Sequence, residues 1–178
     1  LMKAIVSGWI EGPRIFPAGH ALGITGGHAD VTGFIPGVME LGPEHGIADG
    51  ADEVLRAVRY QIKHGTKGIK VCATAGVLSF EGPVGAQQYS EEELRNLVEE
   101  AQRHGLKVAA HAHGTEGIIA AVKAGVVSIE LSIRIRSERT PPRAIGSVSV
   151  GSTGSRGTLL QSAISQAQEF SRSHKRCL

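Results

Sequence analysis

Aromatic side chains are scarce: four Phe, two Tyr and one Trp among 178 residues. So few rings, set beside 24 Gly, disfavour an all-β sandwich and suit a loop-rich α/β protein. Cysteine is nearly absent. Cys72 and Cys177 lie far apart and show no metal-ligand spacing, which argues against a disulfide scaffold and fits a reducing compartment, the cytoplasm. No apolar run approaches the ~20 residues of a membrane span. No signal peptide is visible either; the opening LMKAIVSG reads as the middle of a helix, which places any targeting segment upstream of Leu1. No G-x-G-x-x-G follows a strand, which removes the usual support for a nucleotide-binding sheet.

Acid is what the tail lacks. Residues 131–178 hold 8 Lys or Arg against 2 Asp or Glu, a net of +6, and also ten Ser. Residues 1–130 hold 11 against 15, a net of −4. Such a shift marks a boundary. It divides the chain into an orderly part, 1–130, and a basic Ser/Arg/Gly-rich tail, 131–178.

Within the orderly part, residues 1–8 read as the end of an amphipathic helix with Leu1, Ala4 and Ile5 on one face and Gly8 as its stop. RIFPAG suggests a short strand around residues 14–16. A long Gly-rich loop follows, holding His20, His28 and His45; a loop of this length is usually functional or disordered. Residues 52–64 predict a helix that buries Val54, Ala57, Val58 and Ile62 and ends before Gly65. Ser90-Glu-Glu-Glu93 is a capping box, opening a helix with Leu94, Leu97, Val98 and Ala101 at helical spacing. A further helix is predicted over 115–124, stopped by Gly125. Short apolar strands fall at 68–74, 106–111 and 126–130. The thrice-repeated pattern KHGTKGIKV, RHGLKVAAH, KAGVVSIEL implies right-handed βαβ units and a parallel sheet.

Polar residues gather at the C-terminal ends of these strands: Lys70 and Thr74, His111 and His113, Glu130. Barrel enzymes place their chemistry there, so the expected fold is a partial (β/α)₈ TIM-like barrel of about three to four βα units, since a closed one needs ~250 residues. Strand parity puts Ile69, Val71 and Ala73 on one face and Lys70, Cys72 and Thr74 on the other. Lys107, Ala109, His111 and His113 share a parity opposite to Val108 and Ala110. If Val108 and Ala110 meet the helices, both histidines point to the barrel mouth. Lys70 interrupts an apolar strand, and an unpaired buried ammonium is costly. Two readings stay open: a snorkelling side chain paired with a carboxylate such as Glu130, or a desolvated amine of lowered pKa that adds CO₂ to form a carbamate able to bridge two metals. A His-x-His beside it favours a metal site, though imidazoles suit Zn, Fe or Mn alike.

The stretches GPRIFPAG, ITGGHAD, ADEVLRAVRYQIKHG with IKVCATAGVLS, YSEEELRNLVEEAQRHGLKVAAHAHGTEGI and AGVVSIE carry a resemblance over residues 1–130. Together they resemble the amidohydrolase superfamily, in the branch of metal-dependent Xaa-Pro dipeptidases and imidazolonepropionase-like hydrolases. The resemblance implies a distorted barrel with a binuclear centre, usually two Zn²⁺ bridged by carboxylated Lys70. It also implies attack of a metal-bound hydroxide on the carbonyl of a small amide or dipeptide. His111 matches a metal ligand on the next strand, and His113 and His28 fall where such enzymes line the substrate pocket. The segment from Gly76 to Gln88 would be the loop over the site.

The chain also departs from that pattern. The family's first-strand His-x-His pair would lie upstream of Leu1. Where the family reads SIEHG or SIEHA, this chain reads Ser128-Ile129-Glu130-Leu131, and no match to the eighth-strand Asp is found. With only Lys70 and His111 as apparent ligands, and no catalytic residue retained, the chain as written is expected to be inactive, a fragment of an active parent. The tail has the composition of GC-rich coding DNA read out of frame, which suggests a frameshift at or just after codon 130; a divergent natural C-terminus is the alternative. Most of 131–178 is expected to be disordered, with a helix conceivable at 161–172. A catalytically dead remnant or a basic-tailed binding module is the competing function, and a cyclic amidase the competing chemistry. No nucleic acid or membrane partner is expected. Exposed strand edges are expected to give poor solubility or self-association, and the full-length parent is a candidate homo-oligomer.

Overall fold

The computed structural model describes residues 1–78 and 81–130, together with the backbone of residues 148–149. Three βα repeats form its frame. Helix α1 is Met2–Val6, a 3₁₀ turn follows at Pro43–His45, and the repeats are α2 (Gly50–Lys63), β1 (Ile69–Cys72), α3 (Glu91–Arg103), β2 (Val108–His111), α4 (Thr115–Ala124) and β3 (Ser128–Glu130). A two-residue strand β4, Val148–Ser149, completes a four-stranded sheet ordered β1-β2-β3-β4. The pairs β1–β2 and β2–β3 are parallel, and β4 is antiparallel to β3. This is the expected partial α/β barrel. The remainder of 131–178, including the helix considered at 161–172, lies outside the described residues.

Parity holds the frame together. Ile69 and Val71 of β1, Val108 and Ala110 of β2 and Ile129 of β3 join Val54, Ala57 and Val58 of α2, Leu94, Leu97, Val98 and Ala101 of α3 and Ala120 and Ala121 of α4 in one core. Each large aliphatic side chain taken from water contributes about 1.5–3 kcal/mol, so this face drives folding. The helix boundaries follow local chemistry. Ser90 Oγ accepts from the Glu93 backbone N–H at 3.2 Å, and Glu93 Oε2 accepts from the Ser90 N–H at 2.8 Å, the reciprocal cap predicted from SEEE. The other oxygen of Glu93 accepts from the Gly50 N–H at the start of α2, at 2.8 Å.

One expectation holds and one is corrected. Helix α1 forms where expected, with Ala4 and Ile5 half-buried and the Ile5 side chain against Gly12, while Leu1 is exposed. RIFPAG is not a strand: Pro13 and Pro17 lack the N–H groups a ladder needs, and Phe16 is 71% exposed. The segment is tied down instead through the Pro17 carbonyl, which accepts from the Lys67 N–H and the Thr66 hydroxyl, each at 2.7 Å. The long loop also contributes to the sheet. Leu22, 0% exposed, bridges Val71 in parallel by donating to Lys70 O and accepting from Cys72 N–H, both at 2.8 Å. Near the site, two glycines permit close approach. A Cβ on Gly117 of α4 would collide with the Thr74 methyl, and one on Gly114 with the Gly85 carbonyl.

Candidate active site

Register decides what shares the inner face. Cys72, His111 and Glu130 lie side by side across β1, β2 and β3, and Lys70 sits beside Ala109 and Ser128 one step lower. The Lys70 ammonium reaches up to Glu130, with Nζ to Oε2 at 2.5 Å. Of the two readings of Lys70, the structure shows the ion pair. Below the pair, a cavity of about 590 Å³ runs along the inner face between Phe16, Lys67, Lys107 and Ala109. His28, His111 and His113 are not among its lining residues.

Those three imidazoles form a separate cluster above it. His28, from the long loop, stacks on His111 with ring centroids 4.2 Å apart and planes inclined by 29°. His113 meets His111 edge-on at 4.4 Å. The backbone N–H of His113 donates to Thr74 Oγ1 at 3.0 Å, so the end of β1 aims the residue that follows β2. His28 comes from 83 residues before His111 in the chain, yet its ring is placed by another loop: its Nδ1 lies 2.8 Å from Glu81 Oε1. The Gly76 N–H donates to the same oxygen at 2.9 Å.

Burial sets the electrostatics. Desolvation, then the neighbouring His113, His28 and Lys70, lower the His111 pKa to about 4, with the Ala75 backbone opposing. His111 is therefore a neutral imidazole near pH 7. Its Nε2 is buried and has no hydrogen-bond partner among the described residues. An orphaned buried nitrogen costs about 1–3 kcal/mol, which a ligand to that atom would recover. His113 is lowered in the same direction, by desolvation and then by His28. Burial pushes the Cys72 thiol up to about 11, Lys70 opposing and Glu81 reinforcing. Cys72 thus stays a thiol at neutral pH and is a poor metal ligand or nucleophile.

The fit to a metal is partial. A neutral, desolvated imidazole whose Nε2 has no partner among the described residues, beside a lysine, matches one edge of such a centre. Among the described residues, however, no group of three or more His, Cys, Asp or Glu is arranged to hold an ion. His28, His111 and His113 thus cluster at one end of the sheet, while Lys70, one step lower, pairs with Glu130. Two participants were not legible as site residues. Glu81 is a lone acid in a Gly-rich loop, and periodicity says nothing there. Gln88, whose Oε1 accepts from the His28 backbone N–H at 3.1 Å, is equally silent. Gln61 did leave a signal, a polar residue on the apolar stripe of α2. It is 3% exposed, and its Oε1 accepts from the His20 N–H at 3.0 Å.

No helix among the described residues is long and apolar enough to cross a membrane. Comparison with known proteins returns the architecture independently. A crystal structure of a Xaa-Pro dipeptidase with methionine bound in its active site superposes with a TM-score of 0.70 at 45% identity, covering 73% of this chain and 32% of that one. A prolidase complexed with N-methylphosphonate-L-proline superposes at 0.61 with 40% identity, over 72% of this chain and 33% of that one. The ochratoxinase of Aspergillus niger is 44% identical over 141 residues, 72% of this chain and 29% of that enzyme. The chain thus spans about a third of the length of these relatives, 29% to 33%. The model of the amidohydrolase family matches residues 2–136, and with them the three parallel strands, their helices and the histidine cluster: this chain belongs to the amidohydrolase family.

Proposed function

We propose that this chain is the Lys70–His111 portion of a metal-dependent hydrolase of carbon–nitrogen bonds, acting on small amides or dipeptides in the manner of an Xaa-Pro dipeptidase. The observation that carries the reading is His111, a buried neutral imidazole whose Nε2 finds no partner among the described residues. Lys70 and His111 would supply donors to a pair of divalent ions, zinc in this reading, and those ions would polarise the scissile carbonyl and make water nucleophilic. The chain's own residues do the rest. His113 and His28 flank the reacting group, with the Thr74 hydroxyl orienting the first. In this reading the flanks of the loop, 76–78 and 81–88, lie over the strand ends and limit access of bulk water. The ion pair with Glu130 holds Lys70 in place. Opening of a cyclic amide remains the competing chemistry within this class.

A second reading is favoured by one observation: no three metal-ligating side chains converge among the described residues. On that reading the chain is a catalytically dead remnant. On the first reading, by contrast, we propose that 1–130 is the barrel portion and 131–178 is read out of frame. Sequencing the coding DNA upstream of codon 1 and through codons 125–140 is the first step. A single-base correction that restores a His after Glu130, with an in-frame upstream His-x-His, supports the hydrolase. The corrected protein should then release proline from an Xaa-Pro dipeptide and lose both metal and turnover in His111→Asn. Failure to hydrolyse, or full activity with no metal, removes the first reading. An unaltered frame leaves the remnant.

A further inference from the structure

The loop between β1 and α3 does more to His28 than cover it. Glu81 carries a carboxylate only 1% exposed, and a buried carboxylate is costly unless its oxygens are hydrogen-bonded. Its Oε1 accepts the Gly76 backbone N–H at 2.9 Å and lies 2.8 Å from His28 Nδ1, 53 residues away in sequence. A backbone N–H only donates and an ionised carboxylate only accepts. With Glu81 taken as ionised, Oε1 is the acceptor for both groups, and His28 Nδ1 carries the hydrogen.

The backbone of the same histidine is fixed separately. Its N–H donates to Gln88 Oε1 at 3.1 Å, while the Gln88 N–H donates to Ala73 O at 2.9 Å. Both clamps come from one loop, itself anchored where the Ala75 N–H donates to Ala86 O at 2.8 Å. The third constraint is the His111 ring stacked 4.2 Å away.

We infer that Glu81 is a positioning residue that holds His28 in the Nδ1–H tautomer, its ring braced against His111, so that the basic position of the neutral ring is Nε2. A carboxylate on one imidazole nitrogen fixes the ring's orientation and decides what the other nitrogen can do. With Nε2 an acceptor, His28 is suited to a hydrogen-bond donor of the substrate, an amide N–H or an ammonium group, rather than to a carbonyl or carboxylate oxygen. That substrate preference rests on the reading of His28 as a pocket residue; the tautomer does not.

The test is long-range ¹H–¹⁵N correlation of the imidazole rings in the ¹⁵N-labelled 178-residue chain, in mildly alkaline buffer, with His28 assigned from the signal lost in His28→Gln. The wild-type ring should show a protonated Nδ1 and a bare Nε2, the reverse of the form favoured in water. Glu81→Gln should keep that pattern, because its side-chain carbonyl still accepts from both Gly76 and His28. Glu81→Ala should move the proton to Nε2 while the other imidazole signals stay in place. An Nε2–H ring in the wild type overturns the inference, as does an unchanged spectrum in a folded Glu81→Ala. Should Glu81→Ala unfold, the wild-type spectrum alone decides. The Nδ1–H pattern without any dipeptide hydrolysis would sink the proposed function and leave Glu81 in its role.

Discussion

Val71 and Lys70 are neighbours in β1 and live under opposite rules. Val71 turns to the helices, is 0% exposed and packs among aliphatic side chains from α2, α3 and α4. Lys70 turns the other way, onto an open cavity, and its ammonium is satisfied by the carboxylate of Glu130. One face of the sheet is held by removing carbon from water, the other by pairing polar groups at a half-open surface. The first is strong and non-directional. The second is directional and weak in net energy, and it can change partners without unfolding the protein. Stability is therefore concentrated on one side of the strands and candidate chemistry on the other.

Substitutions can sharpen or break that contrast. Leu97→Ala, in the middle of the helix-facing core, should lower unfolding stability by about 2–5 kcal/mol, read as a lower urea midpoint. Gly117→Ala tests whether α4 must touch Thr74; overpacking there should cost about 1–3 kcal/mol and should also disturb the His113 amide, which Thr74 accepts from. A smaller effect is expected at Glu100, 2% exposed on α3 and joined to Arg59 at 2.6 Å and Arg103 at 2.9 Å. The Arg59 hydrogen bond, with Arg103 and His104 assisting and burial opposing, holds its carboxyl below the usual range. Its stabilisation is therefore present above the ordinary carboxylate pKa and is lost as pH falls through the depressed folded value. Thermal melts across the acid range should show a shallower decline for Glu100→Gln than for the wild type. Smallest of all, Lys70→Met on the open face should change stability by no more than about 1 kcal/mol. A loss as large as that of Leu97→Ala would mean the two faces are not separate.

The same division explains what was legible in the sequence. The face packed by aliphatics repeats with a period, so α2, α3, α4 and the three parallel strands could be placed, as could the opposite parity of Lys70 and His111. The Ser90 cap and Gly125 stop were readable because each is a local chemical necessity. What escaped was non-periodic. Leu22 enters the sheet as a single residue inside a Gly-rich loop, and Glu81 and Gln88 reach His28 from the loop after β1. RIFPAG misled in the other direction: Ile15 and Phe16 suggest a strand, but Pro13 and Pro17 on either side remove donors a strand requires. The site is thus half legible, its strand-borne residues visible and its loop-borne supports not.

The Glu93 carboxylate has a consequence for how this fold opens. One oxygen receives the Ser90 amide at the head of α3, and the other receives the Gly50 amide at the head of α2. Fraying either helix from its start releases a contact that the other shares. Amide exchange at Gly50 and Ser90 should therefore report one cooperative opening rather than two. A single side chain would set the rhythm at which that end of the protein breathes.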